Sequence, residues 1–398
     1  MLLQKIRTIE IKTYKYRIYP TKTQIKEIDV TIEKCRILYN QLLNLKKKSY
    51  LQDGINLSRR QLYSCLKGNM EMYSQVSQNI ADRIDKAFKN FFRRKRQQVS
   101  KTGFPRFKKF RHYGSITLPQ IINAVKIGKK TYFPKIGLIN TKYHRKITGK
   151  PKTLTIKKEK SGKYFITICC ETPIEQNLQV SQEKIGVDLG LNHFIATSNG
   201  EMFVHPKPLK LLTTKRRKLA RNLSKKNKKS KNKEKVRLKL ARTDERISNI
   251  RDNFSWQVCN SLLRKYGTFY VENLNIKAMQ KNRHLSKSIA DVSWNSFLLK
   301  LSYKAESAGG TVMKVNPRNT SQECSKCGKI VKKSLSTRIH HCLQCGLKID
   351  RDINAARNIL SRGKIGREPS DSMPVGDGTS TNSEKLIVSS VKESGKLF

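Results

Sequence analysis

The sequence is poor in acidic residues. It contains 29 Asp and Glu against 84 Lys and Arg in 398 residues, which gives a formal net charge of +55 at pH 7. Such an excess destabilises a compact state by self-repulsion unless a polyanion neutralises it. Nucleic acid is the expected partner, because each neutralised phosphate releases a counterion and strengthens binding. A basic protein that is merely soluble needs a net charge of only about 2 to 8.

Long apolar runs are absent as well. No stretch approaches the roughly 20 apolar residues that cross a bilayer, so no membrane partner is expected. The N-terminal segment MLLQKIRTIEIKTYKYRIYP alternates apolar and polar residues and contains Glu10, which is not the pattern of a signal peptide. We therefore predict a cytoplasmic protein, in which thiols stay reduced and paired cysteines hold metal more readily than they form disulfides.

Four of the nine cysteines form two Cys-x-x-Cys pairs near the C-terminus, each pair followed by glycine. They are Cys324, Cys327, Cys342 and Cys345. Four thiolates at this spacing suit a tetrahedral Zn²⁺ and leave no position for water, so we predict one structural zinc. His340 and His341 are alternative ligands. The other five are expected in the core: Cys35, Cys65, Cys169, Cys170 and Cys259.

Three scattered carboxylates form a second candidate site. Asp188 and Glu272 end the apolar, strand-like runs KIGVDLG and TFYVENLN, and Asp352 begins the helix-like DINAARNIL. Two Mg²⁺ ions about 3.5–4 Å apart, held by a few carboxylates, hydrolyse phosphodiesters. We predict that these three acids are catalytic and bind both ions. Asp350 is the rival for the third position, and the alternative is that all are turn or cap residues.

Hydrophobic periodicity divides the chain into β and α regions. Residues 6–19 alternate as a strand, after which apolar residues recur at helical spacing in two helices up to about residue 96. Short strands between 104 and about 175 suggest a small barrel. From Lys184 the predicted order β-β-β-α-β is that of a ribonuclease-H-like domain. The tail from Gly363 lacks periodicity and is expected to be disordered.

Two basic stretches are candidate nucleic-acid contacts. GFPRFKKFRHYGS interleaves aromatic and cationic residues, which suits stacked bases and phosphates, or equally a barrel strand with its apolar side inward. The run KRRKLARNLSKKNKKSKNKEKVR, residues 215–237, is predicted to be a solvated linker unless nucleic acid neutralises it. The candidate contact residues are Arg106, Lys108, Lys109, Arg111, Lys225, Lys226, Lys228 and Lys229.

Seven motifs in order resemble TnpB, the RNA-guided nuclease of insertion-sequence transposons and a relative of type V CRISPR effectors. They lie between about residues 10 and 362: YKYRIYP, FPRFK, IGVDLGL, VENLNI, SWNSFLLKLSYKAESAGG, NTSQECSKCG and DRDINAARNIL. The resemblance implies a multidomain α+β protein. Its expected parts are a wedge β-barrel at 1–20 and 104–180, a helical recognition module at 21–103, a RuvC nuclease domain at 181–317 and 349–362, a zinc ribbon at 318–348 and a tail at 363–398.

The resemblance also implies an activity. Asp188, Glu272 and Asp352 match the three RuvC carboxylates, and the expected partners are a transposon-derived guide RNA and a double-stranded DNA target beside a short flanking motif. The RNA would pair with the target strand while the protein reads backbone shape. Three alternatives stay open: a catalytically silent repressor, a type V CRISPR effector nuclease, and a transposase or resolvase without RNA. The oligomeric state is open, with a monomer favoured.

Overall fold

The structure, a computed structural model, describes residues 9–68, 71–99, 102–110, 112–121, 130–173, 181–206, 208–227, 230–282, 286–334 and 336–365. These residues form two compact units, divided after residue 174. Among the helices within these ranges, none combines the length and apolarity needed to cross a bilayer.

The first unit contains a six-stranded antiparallel sheet. Its strands are β1 (Ile9–Tyr19), β2 (Ser115–Leu118), β3 (Lys130–Phe133), β4 (Gly137–Lys142), β5 (Lys150–Lys158) and β6 (Tyr164–Pro173). The strand order is β2-β5-β6-β1-β4-β3. Along β1, Tyr14, Tyr16 and Ile18 are buried, as the alternating pattern predicts. The end strands β2 and β3 are not paired with each other in the described residues.

Three helices interrupt this sheet after β1, where the sequence predicts a helical module. They are α1 (Lys22–Gln52), α2 (Arg59–Ser64) and α3 (Ser74–Arg96). Thr21 and Gln24 form a capping box that begins α1. Lys46 on α1 is 1% exposed, and its ammonium donates to Asp85 Oδ1 on α3 at 3.2 Å and to the Leu57 carbonyl at 2.6 Å. The apolar faces of α1 and α3 share one core with the sheet.

The second unit is built on a five-stranded sheet of order β11-β10-β7-β8-β9. Strand β10 is parallel to both β7 and β11, whereas β7, β8 and β9 are antiparallel. Their bounds are β7 (Lys184–Leu189), β8 (His193–Thr197), β9 (Met202–Val204), β10 (Thr268–Glu272) and β11 (Thr311–Val315). The predicted β-β-β-α-β order is present, with the long helix α5 (Lys231–Leu263) before β10.

The prediction of a solvated linker at 215–237 is wrong for most of these residues, which are helical. Helix α4 (Pro208–Ser224) precedes α5, and Arg216 of α4 pairs with Asp244 of α5 at 2.6 Å. Ser230 caps the start of α5 by accepting from the backbone N–H of Lys233. The charged run is helical because an adjacent helix supplies a packing surface and acidic partners that local composition does not reveal.

The remaining elements complete the second unit. They are α6 (Ile276–Met279), α7 (Ser286–Val292), α8 (Trp294–Ser307), β12 (Ile339–His341), β13 (Lys348–Asp350) and α9 (Arg351–Ile365). Helix α9 packs closely on β7 at Gly186. A Cβ added there would lie only 2.1 Å from the carbonyl oxygen of Ala356 in α9. The helix ends at Ile365, so the tail predicted from Gly363 begins three residues too early. Residues 366–398 lie outside the described residues.

The predicted burial of the unpaired cysteines is only partly correct. Cys35, Cys170 and Cys259 are buried, whereas Cys65 is exposed and Cys169 is half-buried. Cys65 is the C-cap of the short helix α2, in which Leu62 is the buried residue.

Candidate active site

Two predicted catalytic acids lie next to each other at the carboxyl ends of adjacent parallel strands. The register pairs Val187 of β7 with Val271 of β10. The residues that follow, Asp188 and Glu272, are therefore neighbours on the same edge of the sheet. Glu272 is 8% exposed, and Asp188 is half-buried.

The third acid comes from the first turn of α9. Asp352 Oδ2 lies 3.4 Å from His193 Nδ1, and a Cβ added at Gly190, just after β7, would be 3.7 Å from the same oxygen. Its rival Asp350 has another role, because its Oδ1 accepts from the backbone N–H groups of Asp352 at 2.8 Å and Ile353 at 3.3 Å. Asp350 is thus the N-cap of α9.

The electrostatics of this edge are unfavourable for three free carboxylates. Burial raises the pKa of Asp188 well above its ordinary value of 3.8, and the charges of Glu272 and then Asp352 raise it further. Burial also raises the pKa of Glu272 from its ordinary value of 4.5. A bound cation would offset both the desolvation and the mutual repulsion.

The spacing of the acids bears on which metal arrangement fits. Within the described residues, the cysteine cluster is the group of three or more potential ligands whose donor atoms all lie within 4.8 Å of one another. The carboxylate oxygens of the three acids do not meet this limit, so they are spread more widely than the ligands of a single ion. In a two-ion site the metals are about 3.5–4 Å apart and the outer carboxylates flank a shared ligand. The position of Asp188 beside both Glu272 and Asp352 fits the shared role.

His193 at this site was not anticipated from the sequence. It begins β8, and no other histidine or cysteine lies at metal-binding spacing from it in the sequence. The short turn between β7 and β8 folds it back towards Asp352, which lies 159 residues further along the chain. Only the tertiary structure brings the pair together.

Glu272 is held by a side chain from beyond β11. The Thr320 hydroxyl donates to Glu272 Oε1, and Thr320 is 4% exposed. The separation of 48 residues explains why no local signal identifies this partner.

The four predicted zinc ligands converge. Sγ of Cys324 lies 3.5 Å from that of Cys345, and Sγ of Cys327 lies 3.6 Å from that of Cys342. A tetrahedral zinc with Zn–S bonds of about 2.3 Å requires sulfur–sulfur separations of about 3.8 Å. The cluster therefore fits a single tetrahedral ion with little adjustment.

Both cysteine pairs have the same knuckle geometry. In the first, the N–H of Gly328 donates to the Cys324 carbonyl, and in the second the N–H of Gly346 donates to the Cys342 carbonyl, both at 2.9 Å. The two glycines have φ of 75° and 69°, a region that favours glycine. The backbone N–H groups of Cys345 and Gln344 lower the pKa of Cys342 to about 6, which favours the thiolate that metals bind.

The alternative histidine ligands are not in this cluster. Within the part of the chain that the structure describes, the clustered potential ligands are the four cysteines, without His340 or His341. His340 is fully buried, and its Nδ1 contacts the ammonium of Lys333. Burial lowers the pKa of His340.

The first basic stretch is partly core and partly surface. Phe104 stacks on Phe91 with centroids 4.5 Å apart, and Tyr113 is 8% exposed, so neither is free to stack a base. Phe107 and Phe110 are exposed. The barrel-strand interpretation is wrong for this stretch, because β2 begins only at Ser115 and the described residues of the stretch before it are not a strand. Base stacking by Phe107 and Phe110 stays a prediction.

Arg106 and Lys108 line a cavity of about 440 Å³ with Arg93 and Arg94 from the last turn of α3. The residues that line it in the described part of the chain include no acid. The backbone of Lys108 is pinned by Asn40, which accepts from its N–H at 2.8 Å and donates to its carbonyl at 3.1 Å. A cavity whose charged lining residues are all cationic suits a phosphate.

The other predicted contacts are exposed or undescribed. Lys109 is exposed, as are Lys225 and Lys226 between α4 and α5. Arg111, Lys228 and Lys229 lie outside the described residues.

Three family models match parts of the chain. "Cas12f1-like, TNB domain" matches residues 294–359, "Probable transposase" matches 167–283, and "Helix-turn-helix domain" matches 11–54. The third of these covers β1 and α1, so the matched segment is a strand followed by one long helix.

Full-length relatives and one solved structure are also similar. A Streptomyces pristinaespiralis protein named "Putative RNA-guided DNA endonuclease" is 28% identical over 88% of this chain and 89% of that protein. "Putative RNA-guided DNA endonuclease InsQ" of Escherichia coli K12 is 27% identical over 89% and 92%. The protein in "Cryo-EM structure of the Cas12f1-sgRNA-target DNA complex" shares the fold, with a TM-score of 0.57 and 13% identity over 89% of this chain and 99% of that one.

Proposed function

We infer that this chain, which belongs to the TnpB family, is an RNA-guided DNA endonuclease. The observation that carries the inference is the convergence of Asp188, Glu272 and Asp352 at one edge of the second sheet, where burial and then the charges of Glu272 and Asp352 raise the pKa of Asp188. Two relatives whose names state this activity align with about nine-tenths of this chain.

We propose that the three acids hold two Mg²⁺ ions. When bound, such ions activate water and stabilise the leaving oxygen of a phosphodiester. Asp188, Glu272 and Asp352 would hold the ions, and Asp188 is the acid whose pKa both other acids raise. His193 contacts Asp352 and limits the orientations open to its carboxylate. The four cysteines hold one structural Zn²⁺, in keeping with the reduced thiols of a cytoplasmic setting.

We propose the following division of labour. The six-stranded sheet is the wedge module, 21–103 the recognition module, 181–317 with α9 the RuvC nuclease, and 318–348 the zinc ribbon. The cationic cavity at Arg106 and Lys108 and the exposed lysines at 225 and 226 contact nucleic-acid phosphates. The net charge of +55 supports extensive phosphate contact.

The proposed partners are a transposon-derived guide RNA and a double-stranded DNA target beside a short flanking motif. Base pairing with the guide would select the target, so the protein needs contacts with backbone shape more than with bases. A single nuclease site cutting the two strands in turn would leave 5′-phosphates on the products.

The test is cleavage of a guide-matched plasmid in Mg²⁺ by matched acid variants. Asp188→Ala and Asp352→Ala should abolish cleavage while RNA binding persists. Asp350→Asn should still cleave, because asparagine caps a helix about as well as aspartate. Full cleavage by Asp188→Ala, or loss of cleavage in Asp350→Asn with Asp352→Ala active, would refute the site assignment.

A transposase acting without RNA is the second candidate, favoured by the "Probable transposase" model over residues 167–283. Sequencing of the RNA that copurifies with the full chain separates the two. A discrete RNA species supports the guided nuclease, whereas its absence together with RNA-independent strand transfer supports the transposase.

A further inference from the structure

The loop between β11 and the first zinc knuckle connects the ribbon to the carboxylate site. Thr320 is at its centre, and its single hydroxyl proton has two acceptors within reach, Glu272 Oε1 and the carbonyl of Pro317 at 3.1 Å. The carboxylate is the stronger acceptor because it carries charge, so the proton goes to Glu272. One oxygen of Glu272 is thereby fixed from the side of the ribbon, and among the described residues none donates to the other.

Helix α9 in turn holds the backbone around Thr320. Asn358 Nδ2 donates to the carbonyls of Thr320 at 2.8 Å and Glu323 at 2.7 Å. One turn earlier, Asn354 donates to the Glu323 carbonyl at 2.7 Å and accepts from the N–H of Ser325 at 3.0 Å. Both asparagines are buried, and residues four apart lie on one helix face. Two buried amides therefore fix the loop up to the knuckle.

Arg362, a further turn along the same face, holds the start of the loop. Its Nη1 donates to the carbonyls of Asn316 at 2.9 Å and Arg318 at 2.5 Å, and its Nη2 donates to Glu323 Oε2 at 2.5 Å. The helix that supplies Asp352 thus also clamps the loop that holds Glu272. The positions of the two acids are coupled through α9.

We propose that Thr320 is a positioning residue for the nuclease reaction: its hydroxyl fixes Glu272 towards Asp188, and the asparagine clamp of α9 fixes Thr320. The inference rests on the proposed function. A buried glutamate has several rotamers, and only those that direct its free oxygen towards Asp188 contribute to a shared cation site. Without the hydroxyl, Glu272 would occupy these rotamers for a smaller fraction of the time.

The test compares Thr320→Val, which keeps the shape and loses the hydroxyl, with Thr320→Ser, which keeps the hydroxyl. The clamp uses the backbone carbonyl of residue 320, so both variants retain it. Mn²⁺ binding to the full chain, treated to remove nucleic acid, is measured by electron paramagnetic resonance. The specific site is the bound fraction that Asp188→Ala abolishes. Cleavage of a guide-matched plasmid is measured against Mg²⁺ concentration.

We expect Thr320→Val to weaken specific Mn²⁺ binding, and to raise the Mg²⁺ concentration for half-maximal cleavage, by about tenfold, the factor that corresponds to about 1.4 kcal/mol. Thr320→Ser should stay within about threefold of the parent, since it retains the charge-assisted hydrogen bond. Zinc content should be unchanged in both. Thr320→Ala, which adds no atom, replaces the valine variant if valine lowers the zinc content or the melting temperature.

Equal Mn²⁺ affinity in the valine, serine and parent proteins would overturn the proposal. This readout does not depend on cleavage. If the parent protein fails to cleave, the proposed function fails while the Mn²⁺ comparison still decides the role of Thr320. If the parent cleaves, Asp188→Ala does not, and Thr320→Val behaves as the parent, only the positioning role fails.

Discussion

Replacing Gly186 with alanine should impair the carboxylate site without touching any of its acids. Gly186 lies in β7, and an added Cβ would be 2.1 Å from the Ala356 carbonyl oxygen and 2.7 Å from the Leu360 nitrogen. Both are backbone atoms of α9, so no side-chain rotation relieves the overlap. Since a Cβ contact below 3.0 Å is essentially never found, α9 must move away by at least 3.0 − 2.1 = 0.9 Å.

The shift would be passed to Asp352, which lies one turn before Ala356 on the same rigid helix. A misplacement of about 1 Å at a catalytic group can lower a rate by about 100-fold. The overpacking itself should destabilise the second unit by about 1–3 kcal/mol. Gly186→Ala should therefore remain folded and bind RNA, yet cleave about 100-fold more slowly at saturating Mg²⁺.

The assay is single-turnover cleavage with preformed guide complex, together with thermal unfolding followed by tryptophan fluorescence. Both tryptophans, Trp256 and Trp294, lie in the second unit, so their signal reports on the unit that the substitution affects. Gly103→Ala is the control, because nothing lies within 4 Å of its added Cβ. A folded Gly186→Ala protein that cleaves within about threefold of the parent would refute the proposed role of α9 in placing Asp352.

Three further outcomes are expected. Asp85→Ala should lower the unfolding free energy of the first unit by about 3 kcal/mol, because the ammonium of Lys46 stays buried without its carboxylate. Lys89 is the exposed partner of Asp85, and Lys89→Met should lower the unfolding free energy by less than about 1 kcal/mol. Both values are measured by urea denaturation followed by circular dichroism. Burial alone would raise the pKa of Asp85, but hydrogen bonds from Lys89 and Lys46 lower it below its ordinary 3.8. The contribution of the ionised carboxylate to stability is therefore complete above pH 3.8 and is lost as the pH falls below that value. The parent and Asp85→Ala should converge in stability in acid, and a constant difference down to about pH 2 would contradict this. Chelation of zinc should unfold the ribbon and abolish cleavage, while the first unit still binds RNA. Zinc loss is measured by atomic absorption. Unchanged cleavage after zinc loss would contradict the dependence of the carboxylate site on the folded ribbon.

The parts of the fold that local patterns determine were predictable. The alternation in β1, the apolar faces of α1 and α3, and the strand–helix order of the second unit follow from hydrophobic periodicity. The cysteine cluster was predictable from spacing alone, since two knuckles with a following glycine have few other uses. Asp188 and Glu272 could be identified because ionisable residues rarely end buried strands without a role.

Other features depend on contacts between distant residues. Helix α4 was missed because a run of lysines and arginines has no visible partner in sequence, whereas Asp244 of α5 supplies one. His193 and Thr320 reach their partners across 159 and 48 residues. Phe104 belongs to the stretch predicted to stack on bases. Its stacking on Phe91 is a tertiary contact, which the local sequence does not reveal. In each case the deciding partner lies on another element.

The order of the elements along the chain has a consequence for biosynthesis. Asp352 is made 164 residues after Asp188, behind both zinc knuckles. At about 5–20 residues per second, the ribosome needs roughly 10–30 s for that interval, during which the N-terminal unit can fold. A polypeptide released before α9 is made would therefore contain the basic N-terminal unit but lack Asp352, the third proposed catalytic acid. If Asp352 acts as proposed, cleavage becomes possible only after α9 has been synthesised.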